Sequence, residues 1–553
     1  MDLDKLVEKL KRRLKSLKDE RDSWLSDWKD LAEKFLPRKM FVLDQGDQTN
    51  EGGINNTLYD SASIRAMRVL AAGMQGGMTS PARPWLRLSI DDLELKENSA
   101  VKEWLAVVQR EMLSLFSKSN FYSAIYTRFL ELATFGTAAM YEVEDPETVI
   151  RFIPLTIGEY YAATDFDKRI KTLFREYEAT AEQIVNQFGE DNVSQVVKES
   201  NEDPARKDNY YTIVHVCLPN PDYEEGRLGY EGKLYLSLYW EDKTADIDKP
   251  YLSVGGFDEQ PFVVPRWDVK GNNVYGDSPA MDALPDVKQL QSQTKSLMKA
   301  LQKEVDPPMN APPGMKNASI VPGAINYIPV TGGQAFTPAI AVKSNPQGTM
   351  VAIQETKEAI KEDLYNDLFK MLAIAGGSMT ATEVRERVEE KLILLGPVLE
   401  RLQSELLTPV VDRTFGIMYR NQRIPEPPEE LQGRELKVEY VSLLAQAQKA
   451  VGTMSIEQFM RFISASAQMY QEALDIMDID ETAEEYAELL GVPPGMIRGK
   501  DERDEIRQFR AQQQQAVLQA QAESQRIDDM KKLSEVDLGS DNALGAMTET
   551  IAG

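Results

Sequence analysis

SPAMDALPDVKQLQSQTKSLMKALQKEVDPP occupies residues 278–308, and this stretch decides how the surrounding chain folds. Serine is a good helix cap, and proline at the next position is preset for a first helical turn. Two consecutive prolines end the helix after Asp306, because proline cannot continue it. Apolar residues recur at helical spacing, at Leu284, Val287, Leu290, Leu297, Leu301 and Val305. The stretch therefore predicts a helix over 279–305 with one apolar stripe.

A second stripe on this helix is basic and consists of Lys288, Lys295, Lys299 and Lys303. Between Leu284 and Val305 the four lysines outweigh Asp286 and Glu304, so the local formal charge is +2 (4 − 2). The whole chain of 553 residues carries a net charge of −26. Lysines away from an apolar stripe are commonly just a solvated face. A basic edge in an acidic protein also suits a channel wall, where an acidic lining repels phosphate and a few lysines make local contacts.

The segment after this helix is an excursion rich in proline and glycine, over residues 306–349. A second helix follows over 350–373, with apolar residues that include Ile353, Ile360 and Leu364. Two glycines then end that helix in the left-handed conformation, and Thr380 with Glu383 forms a capping box for the next one. The loop between the helices contains Gly376, Gly377, Ser378, Met379 and Thr380. The sequence thus predicts a helical hairpin followed by a short loop of small residues.

The rest of the chain divides into helical and strand-rich parts. The periodicity predicts helices at 3–36, 57–80, 96–142, 180–200, 383–422, 441–500 and 501–534, a strand at Trp85–Ile90, and a mixed, largely antiparallel sheet from 141–175 and 210–268. The last 20 residues have the composition of a disordered tail. The chain is therefore predicted to be α+β and mainly helical.

No motif for catalysis or metal binding is present. The chain lacks the glycine spacing of a P-loop, the G-x-S-x-G elbow and H-E-x-x-H. His215 and Cys217 are the only histidine and cysteine, and together they supply at most half of a zinc site. Their i, i+2 spacing instead indicates two residues on one face of a strand. The acids that begin at Asp478 resemble a calcium loop, but a helix N-terminus explains them better.

Composition also limits the cellular setting. A single cysteine excludes an intrachain disulfide, and no stretch approaches the roughly 20 apolar residues that span a bilayer. The N-terminus has no apolar segment typical of a signal peptide. We therefore expect synthesis in a reducing cytoplasm and no membrane partner.

Several motifs, taken in order, give the chain a resemblance to a known family. They are Ala71-Ala72-Gly73-Met74-Gln75-Gly76-Gly77-Met78-Thr79-Ser80-Pro81-Ala82-Arg83-Pro84-Trp85, Phe135-Gly136-Thr137-Ala138-Ala139-Met140, Pro265-Arg266-Trp267, Tyr275-Gly276-Asp277-Ser278-Pro279-Ala280-Met281, Met379-Thr380-Ala381-Thr382-Glu383-Val384 and Leu395-Gly396-Pro397-Val398. In this the chain resembles the head-to-tail connector, or portal, proteins of short-tailed bacteriophages. The matching features spread over about four-fifths of the chain, and the C-terminal 50 residues show no clear match.

The resemblance implies an architecture for each subunit: a wing, a stem of two helices, a small clip between them and a helical crown. On this chain it implies N-terminal helices and wing over 1–278, a first stem helix over 279–305, a clip over 306–349, a second stem helix over 350–373, a tunnel loop over 374–382, wing return and crown over 383–500, and a Gln-rich helix with a disordered tail over 501–553. The stem lysines would then face the DNA channel, and Gly376–Thr380 would narrow it.

The resemblance also implies function and partners. The family forms a ring, usually of twelve subunits, at one vertex of the virion, assembled in the host cytoplasm. Double-stranded DNA passes through the ring, and the large terminase subunit, the major capsid and scaffold proteins and the tail adaptors contact it. The family is not an enzyme and uses no cofactor or metal, which agrees with the missing P-loop.

Two other classes of function remain open from the residues alone. One is a carboxylate-dependent hydrolase with a helical accessory domain, since 89 acidic residues guarantee paired carboxylates somewhere. The other is an acidic scaffold that oligomerises through the Gln-rich helix. A ring, a metal-dependent activity, or the loss of assembly on deleting residues 501–553 would distinguish the three.

Overall fold

A computed structural model gives the structure of the protein. It describes residues 3–39, 58–90, 92, 95, 98–242, 249–305, 309–310, 337–338, 346–373, 393–431, 436–442, 444, 459–467, 470, 476–489, 498 and 500–534. The chain forms two compact units, Met1–Gly452 and Thr453–Gly553, and each is described by itself. The division falls inside the segment 383–500 that the sequence assigns to wing return and crown.

Four helices make the N-terminal part of the first unit, at the places where the periodicity predicts helix. They are α1 (Leu3–Phe35), α2 (Ala62–Met78), α3 (Ser99–Lys118) and α4 (Phe121–Phe135). The first half of α1 buries Leu6, Leu10, Leu14 and Leu17, four residues spaced for one helix face. The second half buries Trp28, Leu31 and Phe35 in the main core. One long helix thereby contacts two separate cores.

The strand-rich region forms antiparallel sheets. Its strands are β1 (Leu86–Ser89), β2 (Ala139–Asp145), β3 (Val149–Leu155), β4 (Tyr160–Thr164), β5 (Ile170–Thr180), β6 (Tyr210–Pro219), β7 (Tyr235–Glu241), β8 (Ser253–Phe257) and β9 (Phe262–Val263). The main sheet has the order β4-β5-β6-β7-β8, and a smaller one has the order β3-β2-β9. Every pair among the described strands is antiparallel, so the mixed sheet that the sequence allowed for is not observed there.

Helices cover both faces of the five-stranded sheet. The first half of α1 packs on one face, where Phe174, Val214 and Trp240 are buried. The predicted helix at 180–200 is two short ones, α5 (Ala181–Phe188) and α6 (Gln195–Glu202), which lie between β5 and β6 and pack on the other side. Thr180 and Gln183 form a capping box that starts α5.

The hairpin helices follow the sheets, as α7 (Pro279–Val305), α8 (Pro346–Asp363) and α9 (Asn366–Ala373). The sequence predicts one continuous second helix over 350–373, but the structure breaks it between α8 and α9. Tyr365 takes a left-handed φ of +53°, which ends α8. The side chain of Asn366 donates to the carbonyls of Ala66 (3.0 Å) and Leu364 (3.1 Å), so α2 stabilises the break.

Three short strands complete the first unit. In the excursion between the hairpin helices, β10 (Met309–Asn310) pairs with β11 (Thr337–Pro338), and the remaining residues of that segment lie outside the described part.

After the hairpin come helical residues 393–402, a π-helical turn (Gln403–Leu407), α10 (Thr408–Arg420) and β12 (Lys437–Tyr440). Strand β12 pairs with β1, joining Leu86 to Tyr440 across most of the chain.

The second unit contains α11 (Ile479–Leu489) and the long α12 (Lys500–Ser534), where the sequence predicts a Gln-rich helix. Arg507 of α12 forms a two-bond ion pair with Asp480 of α11, at 2.5 and 2.6 Å. Among the described residues, none of the helices is long and apolar enough to cross a membrane.

Candidate functional site

The hairpin of α7 and α8 begins where two of the glycine-containing motifs from the sequence are in contact. Gly136 lies just after α4 at a left-handed φ of +75°, and its carbonyl accepts from the amide of Trp267 at 2.9 Å. The amide of Gly276 donates to the hydroxyl of Thr137 at 2.8 Å. A Cβ on Gly136 would lie 2.0 Å from the carbonyl oxygen of Gly276. The two chain segments therefore touch backbone to backbone, which only glycine permits.

Ser278 fixes the start of α7 to this contact. Its hydroxyl donates to the carbonyl of Thr134 at 2.7 Å, and it accepts from the amide of Met281 at 3.2 Å. The same side chain thus caps α7 and fastens it to the end of α4. The root of the hairpin is held by the motifs Phe135-Gly136-Thr137 and Tyr275-Gly276-Asp277-Ser278, which lie about 140 residues apart in sequence.

An ion pair between a buried arginine and a partly buried glutamate fastens the same root to the helical segment before α10. The Arg266 guanidinium donates to Glu405 at 2.6 and 3.3 Å, and the Arg266 amide donates to that carboxylate at 3.0 Å. Arg401 donates to the carbonyl of Trp267 at 2.9 Å. The motif Pro265-Arg266-Trp267 is visible in the sequence, but its ion pair with Glu405 is not, because the two residues are 139 positions apart.

The helices of the hairpin meet through polar side chains in their middle part. Thr356 of α8 donates to the Gln293 side-chain oxygen of α7 at 3.3 Å. Gln291 of α7 is buried, and its side-chain oxygen accepts from the amides of Tyr59 (2.7 Å) and Asp60 (3.1 Å). Lys357 of α8 pairs with Asp60 at 2.7 Å. The segment just before α2 is therefore clamped onto both helices of the hairpin.

The four predicted stem lysines are all exposed on α7 and fall into two groups. Lys288 pairs with Asp30 of α1 at 2.6 Å. The ammonium of Lys295 lies 5.3 Å from the centre of the Tyr59 ring, a cation–π distance. These two lysines contact other parts of the same chain, so the structure gives them a packing role that spacing alone did not indicate.

Lys299 and Lys303 form the other group, on the last two turns of α7. They line a shallow surface depression together with Leu301, Gln302 and Val305. No ion pair links either lysine to another described residue within 4.0 Å. Leu301 and Val305, which belong to the apolar stripe of the sequence, are exposed in the single chain. The end of α7 thus presents cationic and apolar side chains together.

The root of the hairpin has the opposite charge. Burial raises the pKa of Asp363, and the nearby carboxylates of Asp286, Asp282 and Glu362 raise it further. Along α7, three of the four lysines therefore lie in the far half, and Asp282 and Asp286 lie in the near half together with Lys288.

The tunnel-loop residues Gly376, Gly377, Ser378, Met379 and Thr380 lie outside the described residues. So does nearly all of the segment 306–349 that the resemblance makes a clip. Both remain predictions.

His215 and Cys217 lie together in a buried cluster on β6. The His215 Nε2 is 2.9 Å from the Ser237 hydroxyl and 3.3 Å from the Cys217 sulfur, and the ring stacks on Tyr239 at 3.9 Å. Burial lowers the pKa of His215 to about 3 and raises that of Cys217 to about 12. Within the described residues no group of three possible metal ligands occurs. His215 and Cys217 therefore lie buried on the same face of β6, as their i, i+2 spacing predicts.

Asp478 also behaves as the sequence predicts, because its side chain caps α11. It accepts from the amides of Asp480 (2.9 Å) and Glu481 (3.2 Å). The acids there belong to a helix N-terminus.

Glu142 of β2 is a buried acid that no sequence pattern singles out. One side-chain oxygen accepts from the Thr414 hydroxyl at 2.6 Å, and the other has no hydrogen-bond partner among the described residues. Burial raises the pKa of Glu142 to about 8, against the opposing effects of Thr414 and Arg413. The side chain is therefore mostly protonated at neutral pH.

This protonation makes stability depend on pH. Between about pH 4.5 and 8 the folded chain keeps a proton that the unfolded chain has released, so stability falls as pH rises, by up to about 1.4 kcal/mol per pH unit. We expect Glu142→Gln to match the wild type near pH 4.5 and to exceed it increasingly towards pH 8. Urea denaturation of both proteins across this range measures the difference, with exposed Glu144→Gln as the matched control. A difference that is constant with pH would contradict the prediction.

Comparison with known proteins adds a family and two relatives. The family model described as "Bacteriophage head to tail connecting protein" matches residues 7–497. The "Probable portal protein" of Bordetella phage BPP-1 is 40% identical over 543 residues, which cover 97% of this chain and 97% of the relative. The "Portal protein" of Salmonella phage epsilon15 is 40% identical over 546 residues, covering 98% and 97%. A chain from the solved "Neck of empty GTA particle computed with C6 symmetry" is 11% identical with a TM-score of 0.36, over 79% of this chain and 91% of that one.

Proposed function

Because the chain belongs to the family of bacteriophage head to tail connecting proteins, we propose that it forms a ring at one capsid vertex and that DNA enters and leaves through this ring. The observation that carries the proposal is the near full-length similarity to two portal proteins. In this ring the hairpin of α7 and α8 lines the channel. Its root is fastened to α4 and to the helical segment before α10 by Gly136, Gly276 and the Arg266–Glu405 pair.

The DNA-contacting cations in this proposal are Lys299 and Lys303, because Lys288 and Lys295 are engaged within the chain. A lysine contact with phosphate is electrostatic and independent of base sequence, as a channel for a whole genome requires. The loop with Gly376–Thr380 forms the narrowest part of the channel, again without reading bases. Twelve subunits, a docked terminase and contacts with capsid, scaffold and tail adaptor proteins complete the proposal. The chain acts as a structural component with no reaction of its own.

Reversing the two distal charges tests this role. We expect Lys299→Glu/Lys303→Glu to form normal rings but to lower the amount of DNA retained per particle about three- to tenfold, because attractive phosphate contacts become repulsive. Particles are purified from a phage complemented with the variant, and DNA is quantified against the portal content. Lys118→Glu/Lys198→Glu has the same change in net charge on helices outside the hairpin and serves as the control.

Two outcomes would count against the assignment. Equal DNA retention in both double variants would show that the lysines do not contact DNA. A stable wild-type monomer at micromolar concentration, by sedimentation, would refute the ring itself. Lys288→Gln removes the exposed ion pair with Asp30 and adds no like charge, so it should cost only about 0.2–1 kcal/mol of stability.

A further inference from the structure

The loop between β6 and β7, residues 220–234, holds a leucine almost entirely in solvent. Leu228 is 96% exposed, the highest value among the large apolar side chains of the described residues. Single exposed apolar residues are common on protein surfaces and need no explanation by themselves. Leu228 differs from such residues because hydrogen bonds and ion pairs within the loop hold it in position.

The loop is ordered by its own hydrogen bonds. The Asn220 side chain donates to the carbonyls of Tyr230 (2.8 Å) and Lys233 (2.9 Å), and the amide of Glu224 donates to the carbonyl of Glu231 at 2.9 Å. Tyr230 packs against the core between the sheet and α1. These contacts fix the base of the loop to the sheet.

The tip is fixed as well. Arg227 forms ion pairs with Glu224 and Glu231, which lie on opposite sides of the tip. Gly226 and Gly229 flank the leucine at φ values of +81° and +82°, so the chain turns on both sides of it. Leu228 is therefore presented on a preformed turn. A side chain that is already positioned loses little conformational entropy when a partner covers it, a property of interface anchors.

A second exposed apolar side chain lies at the same end of the sheet. Connections in an antiparallel meander alternate between its two ends, so the β4–β5 turn and the β6–β7 loop share one end. The β4–β5 turn carries Phe166, which is 89% exposed. Two strand spacings separate the centres of the two hairpins, about 10 Å across the sheet. One partner surface spans that distance.

The charge of the loop indicates which partner fits. Between Asp222 and Glu231 there are four carboxylates and one guanidinium, a formal charge of −3 (1 − 4). A second copy of this chain carries −26 overall and is a poor match for an acidic loop. A different protein with an apolar pocket bordered by lysines or arginines is complementary in both respects.

We propose that this end of the sheet docks the ring to the surrounding capsid shell, with Leu228 inserted in an apolar pocket of a shell protein bordered by cations and Phe166 beside it. The proposal rests on the proposed function, since it requires a ring inside a capsid. It goes further by naming the anchoring residues and the chemistry of the surface that receives them.

The test uses a phage that lacks the gene for this chain and receives it from a plasmid. The variants are Leu228→Ser, the conservative Leu228→Met, and Val196→Ser, which removes an exposed apolar side chain on α6, at the other end of the sheet. Two quantities are measured for each: ring formation by sedimentation of the purified chain, and the amount of the chain per purified capsid by quantitative mass spectrometry. We expect normal rings throughout and about tenfold less Leu228→Ser chain per capsid, with the two other variants near wild type.

Each other outcome overturns the inference. Wild-type incorporation of Leu228→Ser would show that the leucine anchors nothing, and an equal loss for Val196→Ser would show that the effect is not specific to this end. Loss of rings in Leu228→Ser would assign the leucine to subunit contacts. If the wild type formed no ring, the proposed function would fail first, and this inference with it.

Discussion

Gly136→Ala is expected to lower the free energy of unfolding by about 4 kcal/mol or more. Two costs add at this position. A residue with a side chain is strained at a φ of +75°. Its Cβ would also lie 2.0 Å from the Gly276 carbonyl oxygen, a backbone atom that cannot turn aside.

A matched glycine separates the two costs. Gly271 has a φ of +64°, and no described atom lies within 4 Å of the position that a Cβ would take there. Gly271→Ala therefore carries the strain without the clash, and we expect it to cost about 1–2 kcal/mol. Chemical denaturation of the full chain measures both variants. Equal losses would mean that α4 and the start of α7 separate easily, and the rigid root argued for the hairpin would be wrong.

Glu131→Gln should lower the free energy of unfolding by about 3–5 kcal/mol. Glu131 and Arg128 of α4 are both fully buried, 3.0 Å apart, and Lys39 contacts the same carboxylate. The guanidinium of Arg128 also donates to the carbonyl of Ala139 at 2.8 Å and to that of Leu155. Without the carboxylate a buried cation remains in the core with carbonyls alone to compensate it.

A double-variant cycle checks that the loss comes from the unpaired charge. Arg128→Met/Glu131→Gln should cost less than the sum of the two single variants, by about 2 kcal/mol, because removing both partners leaves no buried charge. Asp165→Asn, which breaks the half-exposed pair with Lys171, is the surface control and should cost at most about 1 kcal/mol. Additive losses in the cycle would refute the pairing argument.

The sequence predicted those helices whose caps, apolar periodicity and end signals all lie within one short stretch. Helix α7 runs from Pro279 to Val305 because its cap, its periodicity and its terminal prolines all lie in one stretch. The same holds for the Asp478 cap of α11. The break between α8 and α9 was not predictable in this way, because the carbonyl of Ala66, which holds Asn366, is 300 residues away.

The candidate site shows the same limit. The four lysines that spacing placed in one basic stripe of α7 are all exposed in the structure, and their position at a DNA channel stays a prediction. Spacing offered no means of separating Lys288 and Lys295 from Lys299 and Lys303, since Asp30 and Tyr59 approach only in the folded chain. Gly136 and Gly276 could be singled out from the sequence, because each belongs to a motif that the chain shares with the family it resembles. Their direct contact required the structure.

The pairing of β1 with β12 also sets the order in which the protein is able to mature on the ribosome. Leu86 has no strand partner until Tyr440 has been synthesised, at position 440 of 553. The core around Trp85 and Leu88 therefore stays incomplete through most of translation. A nascent chain, or one truncated before residue 437, lacks β12 and therefore cannot form the strand pair that β1 makes in the complete chain.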